Sequence, residues 1–176
     1  MSESSFNLEQ LEQVSFIGNG SFGEVFKVQD KKNGEFYAAK ISLQLAESSD
    51  PVYRDLSREI NILSRINHPS ILKFIGFSPY NFHDEQKPVI VTEFLSNGSL
   101  YDIIELEKKG LCKEEWNDTR KLICIYGIAS AMSYLHSNKI IHRDLKPANI
   151  LMDDYLFPKI ADFGLSKMKH QNKESM

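Results

Sequence analysis

Four groups of residues have the types and spacing needed to handle a polyphosphate and a metal ion. The first is Gly18-Asn19-Gly20-Ser21-Phe22-Gly23-Glu24-Val25. Glycines at 18, 20 and 23 let backbone N–H groups approach phosphate oxygens with no Cβ in the way. Alone, this spacing fits a plain glycine-rich turn equally well. A dinucleotide fold would require strand–loop–helix, whereas the segments on both sides of this loop read as strands. The second is Lys40 in Tyr37-Ala38-Ala39-Lys40-Ile41. Ala38 and Lys40 share one strand face, where a small residue leaves room for a flat ligand and an ammonium reaches anionic oxygens. A solvated lysine at a strand edge is the plain alternative. The third is Glu59. Positions 56, 59, 60 and 63 follow a core-facing helical pattern and hold Leu56, Glu59, Ile60 and Leu63. A carboxylate in that seam needs a cation, and Lys40 is the natural partner unless Glu59 lies on a solvated rim. The fourth is His142-Arg143-Asp144-Leu145-Lys146-Pro147-Ala148-Asn149 followed by Asp162-Phe163-Gly164. Asp144, Asn149 and Asp162 offer a base candidate and oxygen ligands of the kind Mg²⁺ prefers. Singly, each would be an ordinary turn residue.

These groups need elements to hold them. Val14, Phe16, Val25, Phe26 and Val28 mark two strands around the glycine loop, and Asn33-Gly34 predicts a tight turn into a third strand over Phe36–Ile41. Asp50-Pro51 reads as an N-cap followed by proline at the first helical position, opening a helix to about Ile66 that stops before His68-Pro69. Strands follow near Ile71–Phe77 and Val89–Phe94, separated by a polar loop. Leu95–Gly98 reads as a linker, Ser99 with Asp102 as a capping box opening a short helix, and Glu115–Ser137 as a long helix. Short strands are expected near Ile150–Met152 and Lys159–Ile160.

Composition bounds the class. Of 176 residues, 41% are hydrophobic and 26% charged, which excludes wholesale disorder. A net charge of −3 gives no basic field, so neither nucleic acid nor an anionic membrane is expected as a partner. Cys112 and Cys124 form no CxxC or Cys/His cluster and read as reduced thiols of the cytosol or nucleus. The start carries no basic-then-apolar signal, and the charge-free stretch Leu122–Leu135 is too short for a membrane span.

Taken jointly, Gly18-x-Gly20-x-x-Gly23-x-Val25, Ala38-Ala39-Lys40, Glu59, the His142–Asn149 stretch and Asp162-Phe163-Gly164 resemble the eukaryotic protein kinase signature. The resemblance runs from about Asn7 to Lys167. It implies an α+β, two-lobed fold: a five-stranded antiparallel N-lobe with one helix, and an incomplete, mainly helical C-lobe. The implied layout is an arm over 1–10, the N-lobe over 11–94, a hinge over 95–98, the partial C-lobe over 99–167 and a polar tail over 168–176. It implies ATP and Mg²⁺ as cofactors and transfer of the γ-phosphate to a Ser/Thr hydroxyl of a protein substrate in signalling. Ile17, Gly18, Asn19, Gly20, Ser21, Phe22, Gly23 and Val25 would cover the nucleotide. Ala38 and Leu151 would flank adenine, Thr92 would be the gatekeeper, and the Glu93 carbonyl and Leu95 amide would pair with the adenine edge. Lys40, steadied by Glu59, would hold the α- and β-phosphates. Asp144 would receive or orient the hydroxyl proton, Lys146 would add charge near the γ-phosphate, and Asn149 and Asp162 would bind Mg²⁺. The stretch around Lys146 is similar to Ser/Thr kinases. Thr92–Leu100 is similar to tyrosine kinases and the tyrosine-kinase-like group, so a Ser/Thr kinase of that group is expected.

Ala39 stands where the family more often has Ile, at a position expected to point away from the nucleotide. The sequence ends at Met176, shortly after Gly164, before the Ala-Pro-Glu motif and the later helices of the family. The alternative reading is therefore a catalytically inactive nucleotide-binding or regulatory fragment. On the same ground Leu122, Ile125, Ile128, Ala129, Met132 and Leu135 are expected to leave an apolar helical surface exposed, with low stability or association as the result.

Overall fold

In the computed structural model, residues 6–20, 23–43 and 51–168 are described. Asp50, Ser21, Phe22 and the tail beyond Met168 lie outside them. The chain divides into two compact units, Met1–Asn67 with Leu72–Leu95, and His68–Ile71 with Ser96–Met176.

The first unit is an antiparallel five-stranded sheet with one helix. Strands β1 (Leu11–Gly20), β2 (Gly23–Asp30) and β3 (Phe36–Ser42) follow in chain order, then helix α1 (Pro51–Leu63), β4 (Phe74–Ser78) and β5 (Val89–Glu93). The spatial order is β1-β2-β3-β5-β4. The β2–β3 turn is set by Asp30, whose Oδ1 accepts the amides of Lys32 and Asn33, and by Gly34 at φ +75°.

Strand alternation gives the sheet two different faces. One face holds Val28, Ala39, Val89 and Val91, packed with Leu8 and Leu11. Ala39 is completely buried there, as expected for a position facing away from Ala38 and Lys40. On the other face, α1 lays Leu56 and Ile60 against Ile90, Phe74 and Phe77. The predicted seam is present, with Leu56, Glu59, Ile60 and Leu63 all buried. The helix ends at Leu63 rather than near Ile66, because Arg65 N–H bonds back to Ile62 O and tightens the last turn. Strand β4 starts at Phe74, not Ile71. Ile71 instead makes a single parallel bridge to Ile160 in the second unit.

The second unit holds helices α2 (Leu100–Lys108) and α3 (Asp118–Ser137), strands β6 (Ile140–Ile141), β7 (Ile150–Met152), β8 (Pro158–Ile160) and β9 (Lys167–Met168), and a 3₁₀ turn at Pro147–Asn149. β6 pairs with β9, and β7 with β8. The capping box is formed in both directions: Ser99 Oγ accepts from the Asp102 amide, and Asp102 Oδ2 accepts from Ser99 N–H at 2.8 Å. Asn117 caps α3, which therefore begins at Asp118 instead of Glu115.

The buried seam of α3 is Cys124, Gly127, Ala131 and Leu135, turned away from most of the Leu122–Leu135 stripe. Leu122 and Ile125 are more than 60% exposed, so the expected exposed apolar surface is present on that helix, while Leu135 is fully buried. Small residues explain the rotation. A Cβ on Gly127 would sit 2.7 Å from Pro158 Cγ and 2.9 Å from Ser70 Oγ, so β8 and the His68–Ile71 segment rest directly on the helix backbone. Gly127→Leu is expected to lower stability by about 1–3 kcal/mol through overpacking, read as a fall in the urea midpoint; an unchanged midpoint would show that the contact is not close. Cys112 and Cys124 are free thiols, and burial pushes Cys124 up to about 11. No described helix is long and apolar enough to cross a membrane.

Candidate active site

In the first unit, strand pairing places the predicted residues on one face. Val25 lies opposite Lys40, Ala38 opposite Thr92, and Lys40 opposite Ile90. Directly paired residues project on the same side, so Val25, Ala38, Lys40 and Thr92 share the face on which α1 packs. There Lys40 Nζ meets Glu59 Oε2 at 2.8 Å, with side chains 15% and 5% exposed. The interruption in the apolar seam is thus a buried ion pair, and a solvated rim location is excluded.

The glycines differ in what they must avoid. A Cβ on Gly23 would come 1.9 Å from Ile41 O, so β3 alone requires glycine there. Among the described residues a Cβ on Gly18 would meet nothing within 4 Å, and one on Gly20 would make only ordinary contacts at 3.5 Å, one of them with Lys40 Cε. The protein's own packing therefore does not explain Gly18 or Gly20. They leave open backbone where a phosphate would need it, with Gly20 next to the ammonium. Asn19 pairs with Glu24 across the ladder, and Ile17 is 48% exposed. Glu93 is tied on both sides to Lys73: its N–H donates to Lys73 O at 3.0 Å, and its Oε1 accepts from Lys73 N–H at 2.8 Å. Thr92 is buried and its Oγ1 donates to Glu93 O. Leu95 is half-buried.

In the second unit, the loop after β6 is fixed from below by a buried histidine. His142 is fully buried; its Nδ1 accepts the Asp144 amide at 3.3 Å, and its Nε2 lies 3.0 Å from Ala161 O. A carbonyl accepts only, so Nε2 carries a proton. Phe163 packs edge-on against this ring at 4.9 Å, and Ser166 Oγ donates to His142 O. His142 thereby links the Asp144 loop to the Asp162–Gly164 segment, as does the β7–β8 hairpin. Sequence reasoning assigned His142 no role; its place two residues before Asp144 was the available signal.

Asp144 Oδ2 accepts from Lys146 Nζ and from Asn149 Nδ2, each at 2.8 Å, and Asn149 Nδ2 also reaches Asp144 O. The Lys146 hydrogen bond, helped by Asn149, holds the Asp144 carboxyl below the usual carboxylate range despite some desolvation. Asp144 in turn raises Lys146, with a further contribution from the nearby Asp162 charge. Arg143 and Asp162 carry φ of +68° and +61°, a left-handed backbone that costs non-glycine residues roughly 1–2 kcal/mol. Such strain is concentrated where side chains must be aimed. Arg143 Nη2 donates to Ser166 O at 3.4 Å, and Asp162 Oδ1 accepts from Gly164 N–H at 3.4 Å. Leu151 lies in β7 and bridges to Ser99.

Among the described residues, no three His, Cys, Asp or Glu side chains cluster as a metal cage. One amide oxygen and one carboxylate, on Asn149 and Asp162, nevertheless suit Mg²⁺, which keeps several waters and takes its remaining ligands from phosphate.

Comparison with known proteins places the chain in a family. Residues 11–176 match the family described as protein kinase domain. An Aurora kinase of Patiria pectinifera is 35% identical over 150 residues, covering 85% of this chain and 35% of its own length. Aurora kinase B of Xenopus tropicalis is 35% identical over 161 residues, covering 92% of this chain and 42% of its own. Human receptor-interacting serine/threonine-protein kinase 3 is 34% identical over 165 residues, covering 91% of this chain and 29% of its own. The chain belongs to the protein kinase domain family. It spans less than half the length of these relatives.

Proposed function

We propose that this chain binds Mg·ATP, and that the protein containing it transfers the γ-phosphoryl group to a Ser or Thr hydroxyl of a protein. The observation that carries the reading is the buried Lys40–Glu59 pair on the face shared by Val25 and Ala38, with Gly20 beside the Lys40 stem. Bound Mg·ATP supplies the phosphoryl group and the divalent charge. Lys40 neutralises the α- and β-phosphates while Glu59 keeps its ammonium aimed. The glycine loop, with Asn19, Ser21 and Phe22, covers the phosphates. Ile17, Val25, Ala38 and Leu151 flank adenine, Thr92 limits the depth of its pocket, and Glu93 O and Leu95 N–H read its edge. Asn149 and Asp162 hold Mg²⁺. Asp144 orients the attacking hydroxyl and takes its proton, and Lys146 offsets charge on the transferred group.

The Lys146 stretch and the receptor-interacting serine/threonine-protein kinase relative favour Ser/Thr over Tyr. The Thr92–Leu100 segment favours the tyrosine-kinase-like group. Free Cys112 and Cys124 suit a reducing compartment, the cytosol or nucleus.

The test has two arms. At 100 times its Kd, Mg·ATP should add about 2.7 kcal/mol of stability, read as a higher Tm. The protein should also label Ser/Thr peptides in preference to Tyr peptides. No shift in Tm with Mg·ATP would refute nucleotide binding; a shift without labelling would leave a nucleotide-binding protein that is not a kinase.

A further inference from the structure

Lys27 lies on the same sheet face as Val25, Ala38 and Lys40, directly opposite Ala38. The phosphate and metal roles leave it unused. Its Nζ sits 3.7 Å from the ring centroid of Phe36 and 4.6 Å from that of Phe94. The two rings meet edge to face, with centroids 6.4 Å apart and planes at 62°. An ammonium held by two aromatic faces is attracted by both ring quadrupoles. The position of Phe94 gives this cage its meaning. The β3–β5 ladder ends at the pair Tyr37↔Glu93, and Phe94 is the next residue. On its two sides stand Glu93 and Leu95, the carbonyl and amide assigned above to the adenine edge. The side-chain cage thus takes over where the backbone ladder stops.

We propose that Lys27 is a positioning residue for adenine recognition. By bridging Phe36 and Phe94 it fixes the Glu93–Leu95 segment in register with the face of Val25 and Ala38. The inference rests on the nucleotide reading above and goes beyond it, since it concerns discrimination of the base, not binding of phosphate. Its chemistry requires a cation at position 27 and an aromatic ring at 36, and makes no demand on the Lys40–Glu59 pair.

The experiment titrates the unsubstituted protein, Lys27→Met, Lys27→Arg and Phe36→Leu with adenosine and, separately, with Mg·tripolyphosphate, following NMR shifts. Lys27→Met keeps the stem and removes only the charge. It should weaken adenosine roughly 3- to 10-fold, the range set by one partly solvated cation–π cluster, and leave Mg·tripolyphosphate within about twofold. Lys27→Arg should restore adenosine binding, because guanidinium also stacks on aromatic faces. Phe36→Leu, which removes one wall of the cage and leaves Lys27 and Phe94 in place, should reproduce the Lys27→Met loss. Unchanged adenosine affinity in Lys27→Met overturns the proposal, as does an equal loss of both ligands, which would mark a general structural role. If the unsubstituted protein binds Mg·tripolyphosphate but not adenosine, the adenine reading itself fails. If it binds neither, the nucleotide reading of the whole site fails.

Discussion

Asp144→Asn is expected to reduce phosphoryl transfer by about 10²–10⁴-fold, the usual span for a positioned general base, with Mg·ATP affinity unchanged. The substitution is nearly isosteric, and the loop that carries it is held from elsewhere. The Asp144 backbone amide is bound by His142 Nδ1, and Asp144 O by Asn149 Nδ2. What changes is the charge that Lys146 and Asn149 both address at Oδ2. An amide at this position cannot receive the hydroxyl proton. It presents either a neutral oxygen to the Lys146 ammonium or an NH₂ group that opposes it. The same geometry fixes a pH dependence. The Lys146 hydrogen bond is the largest cause of the depressed Asp144 carboxyl. The ionised form therefore persists below the ordinary aspartate range, and the acid limb of the rate profile should lie there. Lys146→Ala removes that cause, so the acid limb should move to higher pH. The sign follows from linkage: a depressed carboxyl loses its favourable ionised-state interactions as pH falls through its folded value, and a less depressed one loses them earlier. Steady-state profiles of kcat against pH for the unsubstituted protein and Lys146→Ala check the pair of statements. Wild-type turnover by Asp144→Asn would remove Asp144 from the chemistry.

Lys40→Met should destabilise the protein by about 3–5 kcal/mol, the range for breaking a buried ion pair by removing one partner. The Glu59 side chain is 5% exposed, and α1 holds it in the seam through Leu56, Ile60 and Leu63. It cannot swing to solvent without lifting those residues off Ile90 and Phe74. Left without its ammonium, the carboxylate must ionise in a poor solvent or take up a proton. The double variant Lys40→Met/Glu59→Leu replaces the pair by apolar groups and should recover most of the loss, because the uncompensated charge is gone. Neither variant should hold Mg·ATP as the parent does. Urea midpoints for the four proteins of the cycle measure the coupling. Purely additive effects would show that the pair contributes nothing as a pair.

The signature residues were legible in the sequence because each sits at an element boundary or breaks a pattern. Glu59 is visible as the one acid in an apolar seam, and Ser99 with Asp102 is visible as a capping box; both are formed as expected. The order of the sheet was less legible. Periodicity marks five strands but not that β5 inserts between β3 and β4, a choice made by the side-chain packing of Val89, Ile90 and Val91 on two faces. The buried face of α3 was not legible from hydropathy, for a definite reason. Hydropathy ranks Leu122 and Ile125 above Gly127 and Ala131, whereas close approach of Pro158 and Ser70 selects the residues with least side chain. Ile71 reads as the start of a strand, yet spends its backbone pairing on Ile160. The Lys27 cage was invisible because its three members lie on separate strands and a linker, with no spacing in common.

The central claim is that the sheet face of Val25, Ala38 and Lys40 in the first unit binds the nucleotide. Paramagnetic broadening of methyl signals by Mn·ATP tests it most directly, since Mn²⁺ takes the place of Mg²⁺ beside the phosphates. Val25 and Ala38 are expected to broaden together, in proportion to the same bound fraction, and to recover when Mg·ATP displaces the probe. Both signals unaffected at saturation, or broadening that Mg·ATP does not reverse, would contradict it.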